Sequence, residues 1–242
     1  MKVEHIGLAT LYHGDNRELQ GLRADALVSD PPYGMAHDTD STRFTGGAHK
    51  SGQGRADWGD IEGDATDFDP VKWLDFPRVV LWGSNHYAQR LPKGTTLVWL
   101  KKADHLFGTF LSDCEIAWMK GGYGVYAFRK QFPPPARQAE NDGKTVAHPT
   151  QKPIALMQWC LDMAKVPAGA MVLDPYMGSG STGVACVTTG RAFTGCEIDQ
   201  RHFSTACRRL EAAQRQIALF EHGERLTLEF RRGRRPSPAT TG

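Results

Sequence analysis

The sequence predicts an α/β fold, a doubly wound sheet that is mostly parallel with an antiparallel edge, and three observations carry that expectation. Short apolar runs at Ala26–Val28, Val79–Trp82 and Met171–Leu173 are bounded by Gly, Pro and Asp, the pattern of strands buried on both faces. The last of them leads into a glycine turn and then a helical stretch. That helix is followed by a second strand ending in acid, Arg191 to Asp199. With 242 residues, 40% hydrophobic and 23% charged, the chain can build one large domain with its own core.

The net charge of +2 makes any nucleic-acid surface local rather than global. Cysteines at 114, 160, 186, 196 and 207 form neither a C-x-x-C pair nor a zinc spacing, and read as reduced packing thiols of a cytosolic protein. Met1-Lys2-Val3-Glu4-His5 has no signal-peptide character, no apolar run reaches membrane-spanning length, and no internal repeat is present.

In chain order, Ala9–Tyr12 reads as a strand ending at His13-Gly14-Asp15, with Asn16 capping a short helix through Leu22. Asp15 then stands at a strand's carboxyl end, where open α/β sheets bind ligands; a plain turn aspartate fits equally. The next strand runs into Asp30-Pro31-Pro32-Tyr33. Each proline fixes its own φ and biases the residue before it away from helix, so the oxygens of Asp30 and Pro31 are held toward one spot. A carboxylate, an immobile carbonyl and a flat ring are the parts that grip a planar exocyclic amine. Two acceptors on its hydrogens localise the nitrogen lone pair while the ring stacks. A strand-to-loop turn with a capping aspartate and a surface tyrosine accounts for the same four residues.

Residues 34–67 are polar and glycine-rich without hydrophobic period, and a loop of that length is functional or disordered. Arg43, His49, Lys50 and Arg55 give it basic character, and Trp58 offers an anchor. Pro70–Leu74 reads as a short helix, Arg78–Gly83 as a buried strand, and Ser84-Asn85-His86-Tyr87 as the cap of another short helix. Asn85 and His86 lie on the ligand side of the sheet, where they either cap or touch a ligand. Thr95–Leu100 and Cys114–Met119 complete the N-terminal strands. Between Lys120 and Ala147 the pattern breaks into Tyr123, Tyr126, Phe128, Arg129, Lys130, Phe132, three prolines and Arg137. Aromatics interleaved with cations suit nucleic-acid contact; a proline-stiffened crossover loop is the alternative.

Pro153 opens an amphipathic helix with Ile154, Met157, Leu161 and Ala164 on one face. The stretch from Met171 through Asp174-Pro175-Tyr176-Met177-Gly178-Ser179-Gly180 to Gly183 is a strand, a glycine turn and a helix start. It is neither a Walker loop nor the dinucleotide G-x-G-x-x-G spacing. Its glycines let backbone approach a ligand, and Glu197 at the end of the following strand can accept from both hydroxyls of a ribose. A nucleoside-bearing cofactor is the natural ligand. Gln200–Leu219 is a helix, Leu226–Phe230 alternates like an edge strand, and the tail carries Arg231, Arg232, Arg234 and Arg235.

With Asp30–Tyr33 and the glycine turn in hand, and His148-Pro149-Thr150-Gln151-Lys152-Pro153 just ahead of the turn, the chain resembles the amino-methyltransferases of DNA. Among these it resembles the permuted beta group, in which the catalytic tetrad precedes the cofactor turn. The likeness runs from about Leu11 to Leu210. It implies a circularly permuted, Rossmann-like methyltransferase sheet, S-adenosyl-L-methionine as cofactor and double-stranded DNA as substrate, with no metal. It assigns catalysis to Asp30, Pro31, Pro32 and Tyr33. Cofactor contacts fall to Asp15 at the adenine, to Thr150 and Lys152 at the methionine end, and to Asp174, Pro175, Gly178, Ser179, Gly180 and Glu197. In this setting 34–67 becomes a mobile flap over DNA and an extruded base, and 120–147 a small target-recognition insert.

Family members with Asp at the first tetrad position mostly methylate adenine N6, so Asp30 favours adenine over cytosine N4. Transferases of RNA or protein-glutamine amines are disfavoured by the motif order. A catalytically silent DNA-binding module is disfavoured by intact Asp30, Gly178, Gly180 and Glu197. A partner restriction enzyme, a prophage setting and a homodimer all remain open.

Overall fold

Ala26–Ser29 (β3), Val79–Trp82 (β4) and Met171–Asp174 (β7) are short, almost wholly apolar, and nearly every residue in them is buried. Such runs can only be satisfied in the middle of a sheet covered on both faces, and they form its centre. The computed structural model describes residues 1–34, 67–109, 112–141, 143 and 151–231, with backbone alone over 221–231. The expected flap with Arg43, His49, Lys50, Arg55 and Trp58, the residues His148, Pro149 and Thr150, and the tail from 232 lie outside the described residues.

The eight-stranded sheet has the order β1-β2-β8-β7-β3-β4-β6-β5. Its other strands are Lys2–Ile6 (β1), Ala9–His13 (β2), Gly94–Leu100 (β5), Cys114–Arg129 (β6) and Ala192–Glu197 (β8). The run from β2 through β8, β7 and β3 to β4 is parallel, while β1 joins β2, and β6 joins β4, antiparallel. The mostly parallel sheet with an antiparallel edge is therefore present. The chain winds outward from β3 to β4 on one side and from β7 to β8 on the other. This switch of direction opens a crevice beyond the carboxyl ends of β3 and β7. Asp30 and Asp174 stand at those ends.

Alternation along the strands sorts the core. Val28, Val80, Trp82, Val172 and Phe193 pack toward the helices Ile154–Met163 (α2), Ser181–Thr188 (α3) and Gln200–Arg231 (α4). Leu27, Val79, Leu81 and Leu173 face the other way, onto Phe68, Trp73 and Tyr87 in loops and short 3-10 turns. Each such buried side chain is worth about 1.5–3 kcal/mol. Among the described residues no helix is long and apolar enough to cross a membrane.

Four expectations are corrected. Asp15, not Asn16, is the cap: its carboxylate accepts from the Arg17 amide at 2.8 Å, and the helix is a single turn, Asn16–Glu18. Leu226–Phe230 is helical, a continuation of α4. The edge it would have occupied beside β2 is filled by β1, in register Lys2 to His13 through Ile6 to Ala9. Lys120–Arg129 is not a break but the rest of β6, which folds back at Gly121 and Gly122, whose φ values are 84° and 68°. Its first arm opposes β5 with Thr95 beside Met119, and its second runs along β5 with Thr96 beside Val125. The three prolines start a helix, Pro134–Ala139 (α1), where proline is favoured. The aromatics of this region divide accordingly: Tyr123 and Tyr126 are exposed, while Phe132 is buried and Phe128 packs on Trp159 at 5.4 Å.

Phe193 lies where α3 meets the sheet. A Cβ at Gly183 or Gly195 would come within 2.7 or 2.6 Å of its ring, so both positions are kept bare for it. Phe193→Ala is expected to cost about 3–5 kcal/mol in urea denaturation. A loss below about 1 kcal/mol would show that the ring does not centre this packing.

Candidate active site

At the end of β3 the chain turns through two prolines, Pro31 buried and Pro32 half-buried, and returns Tyr33 toward Asp30. The Tyr33 hydroxyl donates to Asp30 Oδ1. The Lys152 ammonium, delivered by the residues just before α2, donates to Asp30 Oδ2. Both oxygens of one carboxylate are thus gripped, and its rotamer is fixed. The Tyr33 ring lies against bare backbone at Gly83, where φ is 71° and a Cβ would fall 1.9 Å from Tyr33 Cε1. His86 stacks on the same ring, 4.9 Å between centroids and 12° from parallel, and Asn85 Nδ2 donates to His86 Nε2 at 3.0 Å. The turn after β4 therefore belongs to the site.

Lys152 is 6% exposed and also reaches Glu115 Oε2 at 3.1 Å. The other oxygen of Glu115 accepts from Lys101 at 2.9 Å. Burial alone would depress the Lys152 pKa, but the charges of Asp30 and Glu115 outweigh it and hold it above its ordinary value. Burial likewise opposes ionisation of Glu115, yet Lys152 and Lys101 bring its carboxyl down to about 2. Burial pushes the Tyr33 and Tyr87 phenols up, so both stay neutral donors.

The second motif is tied directly to the first. Ser29 Oγ donates to Asp174 Oδ1 at 2.6 Å, and the Tyr176 amide donates to the same oxygen at 3.1 Å. Burial pushes the Asp174 carboxyl up to about 6, against the bonds from Ser29, Thr182 and Tyr176. Beyond Pro175, the Gly178 amide donates to Glu197 Oε2 at 2.9 Å and the Asp199 amide to Oε1 at 2.8 Å. Burial still lifts the Glu197 carboxyl to about 7, so it changes charge near neutrality. Gly180, with φ 81°, passes so close to α4 that a Cβ would meet Ala206 Cβ at 2.9 Å. Arg209 of α4 secures the turn by donating to Ser179 O at 2.7 Å, Ser179 Oγ at 2.9 Å and Ser181 Oγ at 3.2 Å.

Asp15 lies beyond β2, whose last residue, His13, is in register with Glu197. Asn16 Nδ2 donates to Pro175 O at 3.1 Å, which draws this turn up to the second motif. Asp15 itself is paired with Arg17, whose bonds hold its carboxyl below the usual value. The fold thus brings Tyr33 and Lys152 onto Asp30, joins Asp174 to Ser29 just before it, sets Gly178 on Glu197, and ties the turn that carries Asp15 to Pro175.

Glu115, Lys101 and Arg209 carry much of this geometry and have no part in the sequence reading. Glu115 is a lone acid at the head of an apolar strand, and Lys101 directly follows β5. Only the register that sets Trp99 beside Glu115 makes them neighbours.

A family model described as DNA methylase matches residues 81–208, more than half of the 242-residue chain. The matched interval holds Lys152, Asp174, Gly178 and Glu197, and Asp30–Tyr33 precede it. DNA adenine methyltransferase YhdJ of Escherichia coli (strain K12) is 41% identical over 71 residues, 29% of this chain and 24% of that protein. The match thus spans about a quarter of that relative's length. Two solved structures share the fold. The M1.HpyAVI–SAM complex is 21% identical with a TM-score of 0.52, covering 84% of this chain and 98% of that one. The cytosine-N4-specific PvuII DNA methyltransferase is 14% identical with a TM-score of 0.54, covering 86% and 92%. By the extent of the family match, with the strand before the tetrad bonded to the acid that opens the glycine turn, this chain belongs to the DNA methylase family.

Proposed function

We propose that the chain is an S-adenosylmethionine-dependent DNA methyltransferase acting on the exocyclic N6 amine of an adenine extruded from double-stranded DNA. The observation that carries this reading is the bond from Ser29 to Asp174, which sets the Asp30 carboxylate and the glycine turn around one crevice. Family membership, the adenine-specific name of the Escherichia coli relative and the SAM complex of M1.HpyAVI agree with it. Aspartate at the first position of the tetrad supports adenine over cytosine.

The residues fit the cofactor. Gly178 has φ 51° and a Cβ there would meet nothing within 4 Å, so bare backbone borders open space beside Glu197. On this reading Gly178, Ser179 and Gly180 line the methionine part, with Asp174 and Pro175 beside them; Thr150, which the resemblance assigns there, lies outside the described residues. Glu197 accepts from the ribose, and Asp15 lies at the adenine. The cofactor supplies a sulfonium-activated methyl group, whose carbon–sulfur bond breaks with the electron pair left on sulfur as the carbon–nitrogen bond forms.

The chain's own task is orientation and electrostatics. A duplex hides the amine, so the base enters the crevice by flipping. Asp30 and the Pro31 carbonyl accept its two N–H bonds, Tyr33 stacks on the ring, and the proton displaced from nitrogen passes to Asp30 and then to solvent. Lys152, assigned by the resemblance to the cofactor's carboxylate, acts here to hold Asp30. Tyr123 and Tyr126, exposed on the second arm of β6 with Lys93 5.8 Å from the Tyr123 ring, supply stacking and cationic contact for the strand.

Incubation with unmodified DNA and labelled cofactor, then digestion to nucleosides and mass identification, is expected to give N6-methyladenine. N4-methylcytosine would overturn the choice of base, and no transfer to DNA would overturn the reading. Asp30→Ala is expected to lower turnover by about 10²–10³-fold or more while S-adenosylhomocysteine still binds. Retained turnover would remove Asp30 from catalysis. Glu197 predicts a pH dependence. Its carboxyl is neutral below about 7 and only the ionised form accepts from both ribose hydroxyls. S-adenosylhomocysteine binding should therefore tighten from pH 6 to 8 by up to about ten-fold, and Glu197→Gln should remove the slope. Equal slopes in both proteins would contradict the assignment.

A further inference from the structure

Lys101, Glu115, Lys152 and Asp30 form a row of alternating charge that starts near the surface and ends at the reaction crevice. The contacts are 2.9 Å from Lys101 to Glu115 Oε1, 3.1 Å from Glu115 Oε2 to Lys152, and a direct bond from Lys152 to Asp30. Side-chain exposure runs 28%, 30%, 6% and 21% along it. Lys152 is the deepest member, and a lone ammonium buried to that degree would be costly.

Its sign raises a second difficulty. On the reading above, the methyl donor is a cation and the attacked nitrogen becomes positive as the bond forms. Asp30 balances one ammonium, but without Glu115 the two ammoniums of Lys101 and Lys152 would leave a net positive charge that repels both. The other groups around the pair leave this charge unbalanced. Tyr33, Tyr87 and Cys160 remain neutral, Trp82 offers only its ring 5.9 Å from the ammonium, and Arg137 adds positive charge near Glu115. Asp174 faces Asp30 but is already committed to Ser29, Thr182 and the Tyr176 amide.

We propose that Glu115 is a positioning residue for methyl transfer, acting through Lys152. It supplies the second negative charge of the row, so Asp30 is gripped by Lys152 without leaving a net positive charge beside the crevice. Lys101 sets the strength of this compensation from the outside. The row as found sums to zero charge; Glu115→Gln makes it +1 and Lys101→Met makes it −1.

This opposite change of sign is the test, and it rests on the proposed methyl transfer. Dissociation constants are measured for the cationic cofactor S-adenosylmethionine and for its neutral product S-adenosylhomocysteine, which differ at the sulfonium. Glu115→Gln is expected to raise the ratio of the first constant to the second by about three- to ten-fold, and Lys101→Met to lower it by a smaller factor. Glu115→Gln should also lower kcat about ten-fold or more with KM for DNA within about two-fold, and Glu115→Asp should recover part of kcat. If the two variants move the ratio in the same direction, or leave it unchanged, Glu115 serves packing alone and the proposal falls. Should Glu115→Gln fail to fold, Lys101→Met keeps the buried pair and its ratio decides alone. Absence of methyl transfer by the unaltered chain would bring down the underlying reading instead.

Discussion

Asp174 is 2% exposed and ends the strand on one side of the switch point, while Ser29 ends the adjacent strand on the other, and a hydrogen bond joins them. A carboxylate so deeply buried is tolerable only with donors around it, and here the three are Ser29, Thr182 and the Tyr176 amide. Each comes from a different part of the site: the strand before the proline tetrad, the start of α3, and the glycine turn. The acid consequently fixes the spacing of two motifs that lie 145 residues apart at this contact. Without that spacing, a carboxylate at one strand end and a cradle at the next would be two unrelated turns.

Around this fixed point the chain places groups whose charge is set by their neighbours. Asp30 is gripped at both oxygens, so its lone pairs keep one direction. Glu197, in contrast, is held by backbone amides alone and titrates near neutrality. The ammoniums beside Glu115 outweigh its burial, whereas the amide dipoles at Glu197 offset only part of it.

Much of this was legible in the sequence wherever the information is local. Proline pairs stiffen a turn, glycines open one, and short apolar runs fill the centre of a sheet, so the tetrad, the glycine turn and all three central strands could be read directly. What escaped depends on pairing. β1 is an alternating segment of five residues that becomes a strand only because β2 offers an edge. Leu226–Phe230 carries the same kind of alternation, but that edge is taken and α4 continues through it. Glu115 and Lys101 gain meaning only from the β5–β6 register, and Arg209 only from the packing of α4 on the glycine turn. Lys152 stands out in its motif, but its pairing with Asp30 and Glu115 is a tertiary fact.

On the proposed reading, Asp30, held by Lys152 and Tyr33, receives the amine of an extruded base. A crystal structure of the protein with S-adenosylhomocysteine and a DNA duplex tests it most directly. One base is expected out of the helix, its exocyclic nitrogen within hydrogen-bond distance of Asp30 and the Pro31 carbonyl, with Lys152 still bonded to Asp30. A base amine bound elsewhere, or Lys152 turned from Asp30 to the cofactor's carboxylate, would contradict it.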